Sequence, residues 1–226
     1  MISTKVLRSG RILGRFRKML PLLFFVVLVA ALFCTTPFSL WRSGVVLTTV
    51  SLLVALCGFA VRWSASKCDS RNPMEMAACG GIYSMVRFPY FLADLLLVYA
   101  VSIYAGMAWF LFFIVPVSYM VVERIIASEE HRLATRYGEE YLHYCRETNA
   151  LVPPLFSWRR TKSRVSFLQL LSRQRMAFCV TIGAFTVVDI VKNLRIDFTF
   201  RINFLWLGLF CGAVVLYSLP LEKRKH

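Results

Sequence analysis

Six apolar segments dominate the chain, and most polar residues lie between them. The segments cover residues 19–40, 44–61, 89–104, 107–122, 176–191 and 203–219. A bilayer core about 30 Å thick requires about 17–25 helical residues, so each segment is of spanning length, although the third to fifth are only just long enough. We therefore predict an all-α polytopic membrane protein with about six transmembrane helices.

Composition supports a membrane protein. The chain is 58% hydrophobic and 17% charged, whereas about a quarter of the residues in a soluble domain are charged. The first apolar segment could alternatively be a cleaved signal peptide. However, residues 35–40 lack a small-x-small cleavage pattern and further spans follow, so we expect this helix to be retained.

The formal net charge of +15 predicts membrane topology rather than nucleic-acid binding, because the basic residues lie between apolar segments and form no single patch. In an arrangement with the N-terminus inside, only Arg42, Lys192, Arg195 and Arg201 fall outside, which leaves 23 of the 27 Lys and Arg inside. Basic residues resist translocation, so we expect both termini to be cytoplasmic. The basic N-terminal arm is then a topology signal or, alternatively, an amphipathic helix bound to anionic lipid headgroups.

These features divide the chain into four regions. A basic cytoplasmic arm (1–18) precedes the first transmembrane hairpin (19–62), and a central region (63–156) contains the second hairpin. A cytoplasmic linker, the third hairpin and a basic tail make up residues 157–226. In the last span, Gly208 and Gly212 are spaced for close approach of a neighbouring helix. Asp94, in the third span, is either a functional acid or a structural partner of a basic or hydroxyl group.

The seven cysteines fit no disulfide framework, since each lies in or beside a span or on the predicted reducing side. We therefore predict seven free thiols. A metal site built from His131, His143 and Cys145 is disfavoured, because their spacing matches no known ligand pattern.

Two polar segments, 81–91 and 123–154, flank a tight hairpin whose two spans are joined by only three residues, 104–106. In the second segment, apolar and aromatic residues recur at intervals of seven, four, four and three, which is one face of a helix: Ile126, Leu133, Tyr137, Tyr141 and Tyr144. The fourth span should therefore continue out of the bilayer and lie back on the protein, with a cap or bend at Gly138 and an end at Pro153-Pro154.

Charged residues of both signs occur in these two segments. Glu129 and Glu130 can hold a cationic or hydroxyl-bearing ligand, while Arg87 can hold a carboxylate or phosphate. A site with both signs suits a zwitterionic small molecule. Alternatively, the two glutamates only balance the ten basic residues between Arg124 and Arg175.

Both segments resemble the isoprenylcysteine carboxyl methyltransferases and the related phospholipid N-methyltransferases. Gly81-x-Tyr83-x-x-x-Arg87-x-Pro89-x-Phe91 is similar to the family motif G-x-Y-x-x-x-R-H-P-x-Y. The second segment is similar to the family's E-E, F-G-x-x-Y-x-x-Y and closing proline, which read here as Glu129-Glu130, Tyr137-Gly138-x-x-Tyr141-x-x-Tyr144 and Pro153. The resemblance covers residues 78–156, a region with a short hairpin between its two motifs.

The resemblance implies that S-adenosylmethionine binds at the cytoplasmic ends of these helices and that a lipid or lipid-linked acceptor enters sideways from the membrane. It implies a catalytic or orienting role for Arg87. It also implies a set of cofactor-binding residues: Tyr83, Arg87, Pro89, Glu129, Glu130, Tyr141 and Tyr144.

Four positions depart from the family pattern. Phe88 replaces the histidine, Phe91 the tyrosine, Ala93 a glycine and Ala150 an arginine that often precedes the last proline. The two phenylalanines remove polar contacts to the cofactor, which favours an alternative from another class, a non-catalytic relative that binds a lipid or a partner membrane protein. For either function we expect a multi-pass protein of a bacterial inner membrane, or of the endoplasmic reticulum if the source is eukaryotic.

Overall fold

The protein is all-α, as predicted. The computed structural model describes residues 9–10, 12–14, 20–34, 44–68, 75, 79–151, 167–196 and 204–218. Its long elements are α1 (Leu20–Cys34), α2 (Gly44–Ser66), α3 (Pro89–Ala105), α4 (Ala108–Tyr137), α5 (Glu139–Glu147), α6 (Phe167–Ile196) and α7 (Phe204–Ser218), with a 3₁₀ turn at Ile82–Ser84 before α3. Each of the six apolar segments overlaps one of these helices.

Three of the helices are long and apolar enough to cross a membrane: Val45–Ser66, Ala108–Tyr137 and Arg173–Leu194, in α2, α4 and α6. The other three apolar helices, α1, α3 and α7, are shorter. The 17 residues of α3 extend only about 25 Å, slightly less than a hydrocarbon core. The count of six spans and the cytoplasmic termini therefore remain predictions.

Helix α3 is the central element of the fold. It packs against α1, α2, α4 and α6, and each of its residues is buried or partly buried. Helix α4 differs, because the described residues leave much of its apolar half exposed, including Phe112, Phe113 and Met120. An apolar surface of this size on a long helix is suited to contact with lipid.

The hairpin between α3 and α4 and the returning helix are confirmed. Gly106, with φ 76°, caps α3, and α4 begins two residues later. Helix α4 then extends to Tyr137, and Gly138 adopts φ 60° and ψ −138°, a conformation that is essentially restricted to glycine. Helix α5 follows with Tyr141 fully buried. Pro153-Pro154 lies outside the described residues.

Two polar clusters connect α3 to α6. Near the start of α3, Asp94 pairs with Arg62 of α2, whose Nε donates to Oε1 of Gln174 in α6 at 2.6 Å. Ten residues later, the Tyr104 hydroxyl donates to Oδ1 of Asp189 in α6 at 2.5 Å and accepts from Nε1 of Trp206 in α7 at 2.9 Å. Asp94 is thus a structural partner of a basic residue, which is one of the two alternatives that the sequence left open.

No contact among the described residues matches the prediction that a helix approaches Gly208 and Gly212 closely. Both residues are exposed, and a Cβ at either position would meet no described atom within 4 Å. The close contact between α6 and α7 occurs instead at Gly183, where a Cβ would lie 3.1 Å from the Phe210 ring. The spacing of two glycines places them on one face but does not show which face meets a neighbour.

The prediction of seven free thiols was wrong for two residues. Cys68 and Cys79 form a disulfide with Cα atoms 5.9 Å apart, whereas Cys34, Cys57, Cys145, Cys179 and Cys211 are free. Packing brings the two cysteines together, because Ala65 at the end of α2 contacts Ile82 and Tyr83 of the 3₁₀ turn. The spacing of the cysteines along the chain does not reveal this long-range contact.

The described part of the N-terminal arm, residues 9–10 and 12–14, is helical and packs on α4. Gly10 is buried, and a Cβ there would overlap the backbone oxygen of Arg124 and lie 2.9 Å from Cβ of Ser128. Leu13 packs against the cluster of Phe91, Ile125, Ile126 and Leu151. Neither interpretation of the arm from the sequence included this contact.

Replacing Gly10 by alanine should displace the arm from α4, because the added methyl group overlaps backbone atoms that cannot rotate away. We expect Gly10→Ala to lower the free energy of unfolding in detergent by about 1–3 kcal/mol, the usual range for overpacking. Gly14→Ala is the matched control, since its Cβ would meet no described atom within 4 Å and alanine favours a helix. Equal stability of the two variants would show that the arm does not pack here.

Candidate functional site

A short backbone pairing joins the two polar segments. Val86 and Asn149 form an isolated parallel bridge. The Arg87 amide donates to the Asn149 carbonyl at 2.9 Å, and the Phe88 amide donates to the Ala150 carbonyl at 3.3 Å. Phe88, the residue before Pro89, adopts φ −123° and ψ 64° and so avoids the α conformation, as a residue before a proline does, and Pro89 then begins α3. The ends of the two segments are thereby fixed side by side.

The tyrosines reinforce this junction. The Tyr144 hydroxyl of α5 donates to the backbone carbonyl of Tyr83 at 2.8 Å. Burial raises the pKa of Tyr144 to about 12, so its hydroxyl remains a donor at physiological pH. Tyr83 is itself buried, and the Ser84 hydroxyl donates to the Gly81 carbonyl at 2.8 Å within the turn. Tyr83 and Tyr144 therefore support the site, with the Tyr144 hydroxyl directed at the backbone.

Arg87 and Glu130 form the charged centre of the junction. Nη2 of Arg87 lies 2.8 Å from Oε1 of Glu130, and the two side chains are 12% and 27% exposed. Glu129 is instead paired with Arg132, whose side chain is 71% exposed. Adjacent residues on a helix point about 100° apart, so only one of the two predicted carboxylates reaches Arg87.

Three buried polar atoms of this centre form no well-aligned hydrogen bond with the described residues. They are Nε of Arg87, Oε1 of Glu130 and the Tyr141 hydroxyl. Oε1 of Glu130 is close to the arginine but is not aligned for a hydrogen bond with it. Burial raises the pKa of Tyr141, the neighbouring Cys145 thiol and Glu130 raise it further, and Arg87 lowers it. A buried polar atom without a hydrogen bond lowers the stability of a fold by about 1–3 kcal/mol. Three such atoms together indicate a place for a polar ligand or for water.

The two phenylalanines that depart from the family pattern belong to an apolar wall. Phe91 is buried against Ile125, Ile126 and Leu151, and Phe88 packs against the same cluster. The rings of Phe88 and Phe91 have centroids 6.0 Å apart and are tilted by 55°. Ala150 contributes its backbone carbonyl to the pairing described above. The site thus has a charged side and an apolar side.

The structure brings together five of the seven residues that the resemblance implies and adds others that the sequence did not reveal. Tyr83, Arg87, Glu130, Tyr141 and Tyr144 interact around the junction, and Pro89 is buried at the start of α3. The sequence did not reveal Asn149 and Ala150 as site residues, because they contribute backbone carbonyls to the pairing. Nor did it reveal Cys145, because this residue belongs to the site only through its contact with Tyr141. Signals from spacing cannot identify partners of this kind.

Comparisons of the chain with protein-family models, with curated proteins and with solved structures found no match. The resemblance to the membrane methyltransferases therefore depends on the motif residues alone, and the roles that it implies remain hypotheses.

If Arg87 and Glu130 stabilise one another, their replacements should not be additive. Arg87→Gln and Glu130→Gln each leave one partly buried charge without its partner, whereas the double variant removes both charges. We expect a coupling free energy of about 1–2 kcal/mol in a double-mutant cycle measured by unfolding in detergent. Additive losses in stability would mean that the two side chains act independently.

Proposed function

We propose that this chain is an S-adenosylmethionine-dependent membrane methyltransferase that acts on a lipid or lipid-linked acceptor at the cytoplasmic face. The observation that carries the proposal is the meeting of the two family-like segments at one charged centre, where three buried polar atoms form no well-aligned hydrogen bond with the described residues. The donor and acceptor types of these atoms suit a zwitterionic ligand, because Arg87 can hold a carboxylate while Glu130 and Tyr141 can hold an ammonium or hydroxyl group.

When bound, S-adenosylmethionine would supply a methyl group activated by its sulfonium. The chain itself would contribute mainly position and exclusion of water. Arg87 would orient a carboxylate or phosphate, Glu130 would hold the cofactor, and the tyrosines would line the site, whereas Glu129 is turned toward Arg132. Alignment of two reacting groups in a dry pocket supplies much of the rate of such a transfer without a dedicated base. The apolar wall of Phe88 and Phe91 is consistent with a dry pocket.

Two observations favour the alternative, a non-catalytic protein that binds a lipid or a partner membrane protein. Phe88 and Phe91 pack with each other and with aliphatic residues, so these positions offer no polar group to a cofactor. In addition, Arg87 and Glu130 are already paired, and a ligand must compete with that ion pair. A shared fold does not decide between the two functions.

Binding of S-adenosylmethionine to the detergent-purified chain separates these functions. The proposal expects saturable binding in calorimetry and a loss of about 10–100-fold in affinity for Glu130→Gln, the usual effect of removing one charged hydrogen-bond partner. Glu139→Gln is the matched control, since it removes an exposed carboxylate from the neighbouring helix, and its affinity should stay within about twofold of the wild type.

Absence of binding at millimolar cofactor by a protein that unfolds cooperatively would exclude the methyltransferase and leave the binding protein. Equal losses in Glu130→Gln and Glu139→Gln would place the cofactor somewhere other than the Arg87–Glu130 centre. The thermal unfolding of each variant shows whether a loss of affinity reflects a loss of fold.

A further inference from the structure

The Cys68–Cys79 disulfide lies against the first polar segment of the candidate site. Cys68 lies two residues after the end of α2, and Cys79 directly precedes the glycine pair that leads into the 3₁₀ turn. Both cysteines pack in one apolar cluster with Ile82 and Tyr83. The carbonyl of Tyr83 accepts the hydrogen bond from Tyr144. A covalent bond between the cysteines therefore holds the chain only a few residues from Arg87.

The distribution of charge gives this bond an unusual location. Residues 62–87 belong to a segment that the positive-inside rule assigns to the cytoplasm, where dithiol and glutathione systems keep most cysteines reduced. Cytosolic disulfides in most organisms are transient and are catalytic or regulatory rather than structural. A disulfide on this face beside a candidate site is therefore suited to exchange.

We propose that Cys68 and Cys79 are a redox-active pair that exchanges with a cytoplasmic dithiol and controls the order of residues 80–88. Oxidation forms the arrangement seen in the structure, and reduction releases the end of α2 from the start of the first polar segment. Reduction also removes the covalent closure between Cys68 and Cys79 and the limit that it sets on conformational freedom. The proposal does not require the ligand to be S-adenosylmethionine.

The exchange is balanced by the dithiol. Cys79 is partly exposed whereas Cys68 is buried, so the thiolate of the dithiol attacks the sulfur of Cys79 and the Cys68 sulfur leaves and takes up a proton. The second thiol of the reductant then attacks the mixed disulfide and releases Cys79 as a thiol. Two electrons and two protons pass to the protein, and the reductant becomes a disulfide.

Reduction of the disulfide should affect the candidate site through the packing of the 3₁₀ turn. Tyr83 packs in the cluster that contains the two cysteines, and its backbone carbonyl accepts the hydrogen bond from the Tyr144 hydroxyl. The amides of Val86 and Arg87 donate to Ile82 and Asn149, both at 2.9 Å, so their protection from exchange reports the order of the junction. Looser anchoring of Tyr83 should make these amides open more often.

Hydrogen exchange on the full chain in detergent, with and without dithiothreitol, tests the coupling. We expect residues 82–88 to exchange about tenfold faster after reduction, while the amides in the middle of α2 do not change. Cys68→Ser/Cys79→Ser should exchange at the fast rate with or without reductant. Cys57→Ser, which removes an exposed free thiol from α2, should respond to dithiothreitol as the wild type does.

A second measurement follows the pair in cells by acid trapping, alkylation and mass spectrometry. We expect the pair to become oxidised after treatment with diamide and to be reduced again after the oxidant is removed. A pair that stays oxidised, or stays reduced, throughout this cycle would overturn the proposal. Unchanged hydrogen exchange of residues 82–88 on reduction would also overturn the proposal, whether or not the protein binds S-adenosylmethionine. The reduced wild type provides this test even if the double variant does not fold.

Discussion

The pairing of Val86–Phe88 with Asn149–Ala150 is the constraint on which the candidate site depends. These segments are more than 60 residues apart in sequence, and between them the chain makes α3, α4 and α5. Two backbone hydrogen bonds can join them only because α4 extends beyond the apolar hairpin and Gly138 turns the chain back. Once joined, they place Arg87 against Glu130 and Tyr144 against Tyr83 without any further element.

The position of α3 explains how so short a pairing can be stable. Because α3 is surrounded by other helices, its two ends are anchored by side chains that leave little freedom of rotation or translation. Asp94 pairs with Arg62 near one end, and Tyr104 joins Asp189 and Trp206 at the other. Polar contacts of this kind have few competitors in an apolar environment, so they fix the register between packed helices. Because Arg87 and Pro89 lie at the start of α3, the anchoring of this helix also fixes their positions.

Local patterns predicted the elements of this fold, and long-range contacts decided what the patterns could not. Runs of apolar residues and the intervals from Ile126 to Tyr144 predicted the helices, the hairpin and the return of α5, since helix formation and amphipathic packing repeat at a fixed period. The helical period could not show that Glu130 rather than Glu129 faces Arg87, because the two glutamates are neighbours in sequence and the surface around them is polar. Nor could it reveal the bond between Cys68 and Cys79, which depends on how the end of α2 meets the 3₁₀ turn.

We propose that the Arg87–Glu130 pair serves recognition of a ligand more than stability of the fold. A partly buried ion pair stabilises a fold only when further hydrogen bonds satisfy its remaining donors and acceptors, and the described residues provide none for Nε of Arg87 and Oε1 of Glu130. The adjacent wall of Phe88, Phe91 and Ile126 strengthens the electrostatic field of both groups by excluding water. Aliphatic side chains in their place would extend that wall and fill the junction with less desolvation. The two opposite charges are partly shielded from solvent, and each keeps some hydrogen-bonding capacity. A ligand of mixed charge would use that capacity best.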